Sequence, residues 1–401
     1  MNKLYELIQQ LCPDGVKYKK FGNVCQYIRG ITYSKPQEVK DNSTNAWKVM
    51  RANNITLGSN VINFEDVKLV KREVYVRDNQ LLKKGDILIC AGSGSKEHIG
   101  KVAYIFDDME YTFGGFMAVI RCGNELNSRF LFHILTGNSF SVYLSQALNS
   151  TTINNLNAGI MKNYLIPVPP LEVQQEIVRI LDHFTELTAE LTEKLTAELT
   201  AREKQYQYYR CQLLTFNSSV PRRTLSEVCN ILSGGDAPKN EMSKEKTEHH
   251  KIPIISNGVE GNDIYGYTNI KKIETPAVTI AARGTIGYAA YRDYPYFPII
   301  RLLSAIPKDT SLLDTKFLYY CLRDKQYNIP QSGIPQLTSP QLKKVEIFLP
   351  PLPEQHRIVS ILDRFDAMCN DLTSGLPAEI AARQKQYEYY RDKLLTFKEK
   401  L

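Results

Sequence analysis

"PPLEVQQEIVRILDHF" at Pro169–Phe184 returns as "PPLPEQHRIVSILDRF" at Pro350–Phe365. At an offset of 181 residues the match runs without a gap to Phe216 and Phe397. It takes in the tyrosine-dense phrase "KQYQYYR" (Lys204–Arg210), which answers "KQYEYYR" (Lys385–Arg391). A repeat of this length marks a duplicated structural unit. Each copy reads as a long helix. In the first, Ile177, Leu181, Phe184, Leu187, Leu191, Leu195 and Leu199 recur at steps of three and four, and Tyr206, Tyr209 and Leu213 continue the stripe. In the second, Ile358, Leu362, Phe365, Met368, Leu372, Leu376, Ile380, Tyr387, Tyr390 and Leu394 do the same. Gly375 and Pro377 predict a break near Ser374–Pro377, with Pro377 opening the restarted helix. A helix of some 45 residues is a rod of roughly 67 Å. A lone amphipathic rod is unstable, so two in one chain are expected to pack their stripes together as an antiparallel coiled coil. The tyrosines then serve the seam or a partner.

Outside the helices the duplication is looser. "GNVCQYIRG" (Gly22–Gly30) parallels "SEVCNILSG" (Ser226–Gly234), and "ILICAGSGSKEHIGKVAYIF" (Ile87–Phe106) parallels "AVTIAARGTIGYAAYR" (Ala277–Arg292). The latter pair reads as strand, polar loop, strand, with Gly100 and Gly287 opening the second strand. The framework is kept while the loops differ, which suits two domains with one task and two targets. The expected fold is α+β. Residues 1–168 form one globular domain and 217–349 the other, with helical segments at 169–216 and 350–401. The first helix leads straight into the second globular domain, and the second should bring Phe397 back to the first, like a ring cut at one point.

The 401 residues carry a net charge of +7, unevenly spread. Residues 1–169 hold 20 Lys+Arg against 14 Asp+Glu, and residues 217–349 hold 17 against 13. The segment 170–216 is acidic, with 5 against 8, and 350–401 is balanced, with 8 of each. Basic globular segments point to a polyanionic partner. Eight scattered cysteines with no CxxC fit a reducing cytoplasm and argue against a disulfide framework or a zinc site. The N-terminus lacks an apolar signal region, and no apolar run reaches membrane-spanning length.

Catalytic patterns are missing from the sequence. "GSGSKEHIGKV" (Gly92–Val102) fails the phosphate-loop spacing and has Val102 where a magnesium-binding hydroxyl belongs. Neither Pro-Pro pair sits in an Asn/Asp-Pro-Pro-aromatic motif that would hold an amino group for methylation. The six histidines show no ligand spacing, and His249–His250 read as a solvated loop.

Basic domain, long helix, basic domain, long helix, with "PPL" and a following Gln opening each helix, resembles the specificity subunit of type I restriction–modification systems. The similarity extends to "LKKGDILICAGSG" (Leu82–Gly94), "IPIISNG" (Ile252–Gly258), "TIAARGTIG" (Thr279–Gly287) and the four-residue units of "TAELTEKLTAEL" (Thr188–Leu199). The resemblance implies two target-recognition domains, each reading half of a bipartite site on double-stranded DNA. It implies conserved helices that separate them and dock two methyltransferase subunits, with restriction subunits joining that complex. It implies no catalysis and no cofactor on this chain: S-adenosylmethionine, ATP and magnesium would belong to the partners. Arginine to guanine and Asn/Gln to adenine are the usual base contacts. The candidates are therefore Lys35, Arg51, Asn53, Asn54, Ser93, Ser95, Lys96 and His98 in the first domain. In the second they are Lys239, Ser256, Asn257, Arg283, Thr285, Gln331 and Gln336. Tyr206, Tyr209, Tyr387 and Tyr390 are the candidate partner contacts. The rival expectations are a DNA-binding adaptor or regulator acting without a methyltransferase, and a coiled-coil protein that binds no DNA.

Overall fold

A computed structural model describes residues 2–39, 45–149, 155–259, 261–329, 335–370 and 375–400. The chain divides into two compact units, Met1–Glu193 with Ile380–Leu401, and Lys194–Glu379. Each unit joins one globular region to turns of both helical segments.

The two globular regions share one plan. In unit 1 a four-stranded antiparallel sheet runs in the order Cys25–Arg29, Met117–Cys122, Ile87–Cys90, Val102–Tyr104. In unit 2 the corresponding order is Cys229–Ser233, Leu302–Pro307, Ala277–Ala281, Ala289–Arg292. A second sheet follows in each, with Ala46–Met50 pairing in parallel with Tyr111–Phe113, and Ile252–Ile255 with Phe297–Pro298. The central strands Ile87–Cys90 and Ala277–Ala281 are buried at every residue, which is why they read as apolar runs and not as alternating patterns. The "YIRG" and "ILSG" endings now have a cause. A Cβ at Gly30 would lie 2.2 Å from the carbonyl oxygens of Phe113 and Gly114, and one at Gly234 would lie 2.0 Å from that of Ile299. Only glycine lets the backbones approach that closely. Gly100 and Gly287 close their loops in the left-handed region, at φ 83° and 85°.

The first helical segment is one helix, Leu171–Leu213. The second is two, Leu352–Asn370 and Leu376–Leu394. Pro377 is the second residue of the restarted helix, one place later than expected, where its missing N–H still costs nothing. Residues 371–374, and Leu372 with them, lie outside the described residues. Within unit 1 the ring of Phe184 meets Tyr390 at 6.4 Å, and Thr185 shares a 3.0 Å hydrogen bond with the Tyr387 hydroxyl. Within unit 2 Phe365 stacks on Tyr209 at 5.6 Å. These are one pairing made twice, since 184 and 209 become 365 and 390 on adding 181. Of the stripe residues, Ile177 and Leu181 are buried in the core of unit 1 and Ile358 and Leu362 in that of unit 2, whereas Leu187 and Met368 are exposed.

The Gln of each "PPL" motif fastens helix to domain. The Gln174 amide donates to the carbonyls of Pro169 and Glu125, and its oxygen accepts from the N–H of Asn127. Gln355 donates to Pro350 and Leu312 and accepts from Asp314. Both glutamines are fully buried. Asn127 and Asp314 in turn cap the helices Ser128–Leu135 and Thr315–Leu322. A carboxylate one helical stretch further on also recurs. Asp182 accepts from Arg129 and His133, both at 2.8 Å, while Asp363 accepts from Lys316 and Tyr320 at 2.7 and 2.5 Å. Burial opposes the charge of Asp182, but His133 and Arg129 outweigh it and hold its pKa below the ordinary value.

The expected return of the chain is present in unit 1. The Val16 N–H donates to Lys398 at 2.8 Å, the Lys400 N–H donates to Val16 at 2.9 Å, and the Tyr18 hydroxyl donates to the Phe397 carbonyl at 3.2 Å.

Candidate nucleic-acid interface

In unit 1 a cleft of about 1410 Å³ opens between the loops that follow the sheet strands. Its apolar lining includes Ile31, Ile55 and Met117, and its polar lining includes Arg51, Asn53, Ser93 and His98. Four of the eight candidates of the first domain thus share one concave surface. Two of them, Arg51 and Asn53, share one support. Asp66 accepts from Arg51 Nη2 at 2.7 Å and from Asn53 Nδ2 at 2.8 Å. Three buried polar atoms along this cleft have no hydrogen-bond partner: Arg51 Nε, His98 Nδ1 and Asn155 Oδ1. An unmet buried polar atom is costly, so these positions favour an incoming polar ligand. Lys101, also on the cleft, donates to the Ile55 carbonyl at 2.7 Å, and burial lowers its pKa.

The remaining candidates of unit 1 divide. Lys35 and Ser95 are exposed and lie outside the cleft lining, and the side chain of Lys96 is outside the described residues. Asn54 must be corrected. It is 1% exposed, accepts from the Arg51 N–H and donates to the carbonyls of Asn63 and Asp66. It shapes the loop that presents Arg51 and Asn53 and offers no edge to a ligand.

In unit 2 four candidates form one chain of contacts. The Asn257 amide donates to the Arg283 carbonyl at 2.6 Å, Thr285 donates to the Asn257 carbonyl at 3.0 Å, and Arg283 Nε donates to Gln336 Oε1 at 2.8 Å. Ser256 donates to the Asp263 carbonyl at 3.1 Å, and Lys239 is exposed. Gln331 lies outside the described residues. Asn155 and Gln336 hold equivalent places, because the next residues, Leu156 and Leu337, donate to Ala91 and Ala282, which directly follow equivalent strands. The same position is therefore unpaired in one unit and engaged by an arginine in the other.

The helix tyrosines also need one correction. Tyr206 is 5% exposed within unit 2, with Arg323 over its ring at 5.4 Å, so it is a core residue and not a partner contact. Tyr387 is half-buried through Thr185, while Tyr209 and Tyr390 keep an exposed face. The most open tyrosines of the repeat are Tyr208 and Tyr389, at 59% and 61%, which the stripe pattern left out because they lie off it.

Comparison with known proteins gives a consistent picture. A family model described as the type I restriction modification DNA specificity domain matches residues 13–201 and again 217–382. A Mycoplasma pneumoniae chain assigned as a type I specificity subunit is 36% identical over 306 residues, covering 72% of this chain and 89% of that one. A Haemophilus influenzae chain assigned as a type I restriction enzyme specificity subunit is 38% identical over 301 residues, covering 70% and 74%. Among solved structures, a chain from a study of complex assembly in the type I system superposes with a TM-score of 0.73 at 19% identity, covering 95% of this chain and 97% of that one. An HsdS subunit from Thermoanaerobacter tengcongensis gives 0.55 at 19%, covering 96% and 97%. At that identity the structural likeness concerns the fold.

Proposed function

The chain belongs to the type I restriction–modification specificity subunits, and from that premise we propose that each unit reads one half of a bipartite duplex DNA target. The observation that carries this reading is a framework built twice with different polar contents. Strand order, buried glutamine and capped helix recur in both units, while Arg51, Asn53 and His98 stand in one and Asn257, Arg283 and Gln336 in the other. Shared scaffolding with divergent donors and acceptors is what two readers of different sequences need. Lysines and arginines would add salt-dependent phosphate affinity common to all sequences.

The subunit acts, on this reading, without catalysing a reaction. Two methyltransferase subunits dock on the repeated helices, where Tyr208, Tyr209, Tyr389 and Tyr390 offer exposed aromatic surface twice. Restriction subunits join that assembly. S-adenosylmethionine, ATP and magnesium are held by the partners. Native mass measurement of the chain saturated with methyltransferase should give two bound subunits, and a single one at saturation would contradict the docking model.

Independence of the units is tested by exchange. Replacing residues 217–349 with the corresponding segment of a relative should change one half of the methylated motif and leave the other as it was. A change in both halves would show that the units do not read separately.

A further inference from the structure

One turn sits at the same place in both frameworks and carries a different side chain in each. In unit 1 the turn is Gly114–Met117, closed by the Met117 N–H donating to Gly114 at 2.8 Å. In unit 2 it is Ile299–Leu302, closed by Leu302 to Ile299 at 3.2 Å. The third residue is Phe116 in one and Arg301 in the other. Their equivalence is fixed by the backbone: the Phe116 carbonyl accepts from the Ala91 N–H at 2.8 Å, and the Arg301 carbonyl accepts from the Ala282 N–H at 2.9 Å.

Among the described residues neither side chain makes a hydrogen bond, an ion pair or a ring contact. Phe116 is 73% exposed and lines the cleft that holds Arg51, Asn53 and His98. Arg301 is exposed and makes no side-chain hydrogen bond or ion pair among the described residues. It also occupies φ 70°, a conformation in which glycine or asparagine is the ordinary choice. An arginine at that φ, at a cost in backbone energy and with no partner among the described residues, is available to a ligand outside the fold. The Ala282 bond sets this turn beside Arg283, and so beside the contact chain that links Asn257 and Gln336.

We propose that this turn residue is a specificity determinant in each unit: Arg301 reads a guanine edge in the half-site of unit 2, and Phe116 packs on a thymine methyl in the half-site of unit 1. The pairing follows the groove chemistry. Arginine matches the two acceptors of guanine, and an exposed apolar side chain gains most from the one methyl group in the major groove. This inference rests on the proposed reading of one half-site by each unit.

The test uses the full chain assembled with methyltransferase subunits and a randomised duplex pool. Arg301→Gly suits it, because glycine is at ease at φ 70° and the variant should fold at least as well as the parent. The expected result is loss of about tenfold or more in discrimination at one G·C pair of one half-site. The other half-site should be unchanged. Arg301→Gln should move the preference at that pair from guanine toward adenine. Phe116→Ala should relax a T·A pair in the opposite half-site. Uniform weakening on all sequences, with a salt dependence shallower by about one phosphate contact, would assign Arg301 to the backbone and overturn the inference. So would a half-site with no G·C pair, or an unaltered motif in all three variants. If the parent complex itself selects no sequence, the reading of the units as DNA readers fails, and this inference with it.

Discussion

Gln174→Ala should destabilise unit 1 by about 3–5 kcal/mol, and Gln355→Ala should do the same to unit 2. Each substitution strands one buried carbonyl, that of Pro169 or Pro350, at about 1–3 kcal/mol, and removes two part-buried hydrogen bonds worth about 0.5–1.5 kcal/mol each. The loss is structural as well. The N–H groups that bond to these glutamines belong to Asn127 and Asp314, which cap the next helices, so an unlatched glutamine also loosens the cap. Glutamate should not rescue either site, because a carboxylate cannot donate to two carbonyls. The protein supplies its own probe. Its one tryptophan, Trp47, lies in unit 1, with the indole N–H on the Val74 carbonyl at 3.1 Å and Arg72 over the ring at 3.7 Å. In urea, Gln174→Ala should move the fluorescence transition of Trp47 to lower concentration. Gln355→Ala should leave that transition in place while lowering the helical signal early. A shift below about 1 kcal/mol for Gln174→Ala would mean that the latch is dispensable, since the stranded Pro169 carbonyl alone should cost at least about that much.

Inserting one further "TAEL" at Thr188–Leu199 should change the DNA target without changing either half-site. Four residues add about 6 Å to the helix and turn it by about 400°, a net of about 40°. Leu187, Leu191, Leu195 and Leu199 already step by four, and the last three are only half-buried, with Leu187 exposed. The stripe there tolerates a small rotation, so the variant should fold. DNA rises about 3.4 Å per base pair, and an added pair rotates a half-site by about 35° at roughly 10–10.5 pairs per turn. Length and angle then agree on a gap wider by one or two pairs. Sequencing the methylated motif made by the variant with its methyltransferase decides the matter. An unaltered gap in an active complex would show that another element sets the spacing.

How far the sequence could be read follows from what each position answers to. The helices were legible because their spacing repeats in the chain itself and the 181-residue offset needs no structure to detect. The "PPL" glutamines were visible as motif but not as latches, since their partners Glu125 and Leu312 lie more than forty residues upstream. Asn54 was misread because an asparagine that holds a loop together and one that meets a ligand look alike in a string of letters. Tyr206 and Tyr208 differ by two places, yet one is buried and the other open, and a stripe pattern alone could not tell which of them is accessible. Phe116 and Arg301 were passed over for a different reason. "FGGFM" and "PIIRL" share no residue at matching places, and only the hydrogen bonds to Ala91 and Ala282 reveal that they are one position.

The return of residues 397–400 to Val16 has a consequence for biosynthesis. Unit 2 is drawn from one uninterrupted stretch, Lys194–Glu379, and can complete itself as that stretch leaves the ribosome. Unit 1 starts to emerge first but needs Ile380–Leu401, so it finishes last. Until then the apolar surface that later receives Leu394, Leu395 and Phe397 stays uncovered. The nascent chain therefore carries an open flank through the synthesis of its entire second half, and that flank is where a holding chaperone would bind and where premature association between neighbouring nascent chains would begin.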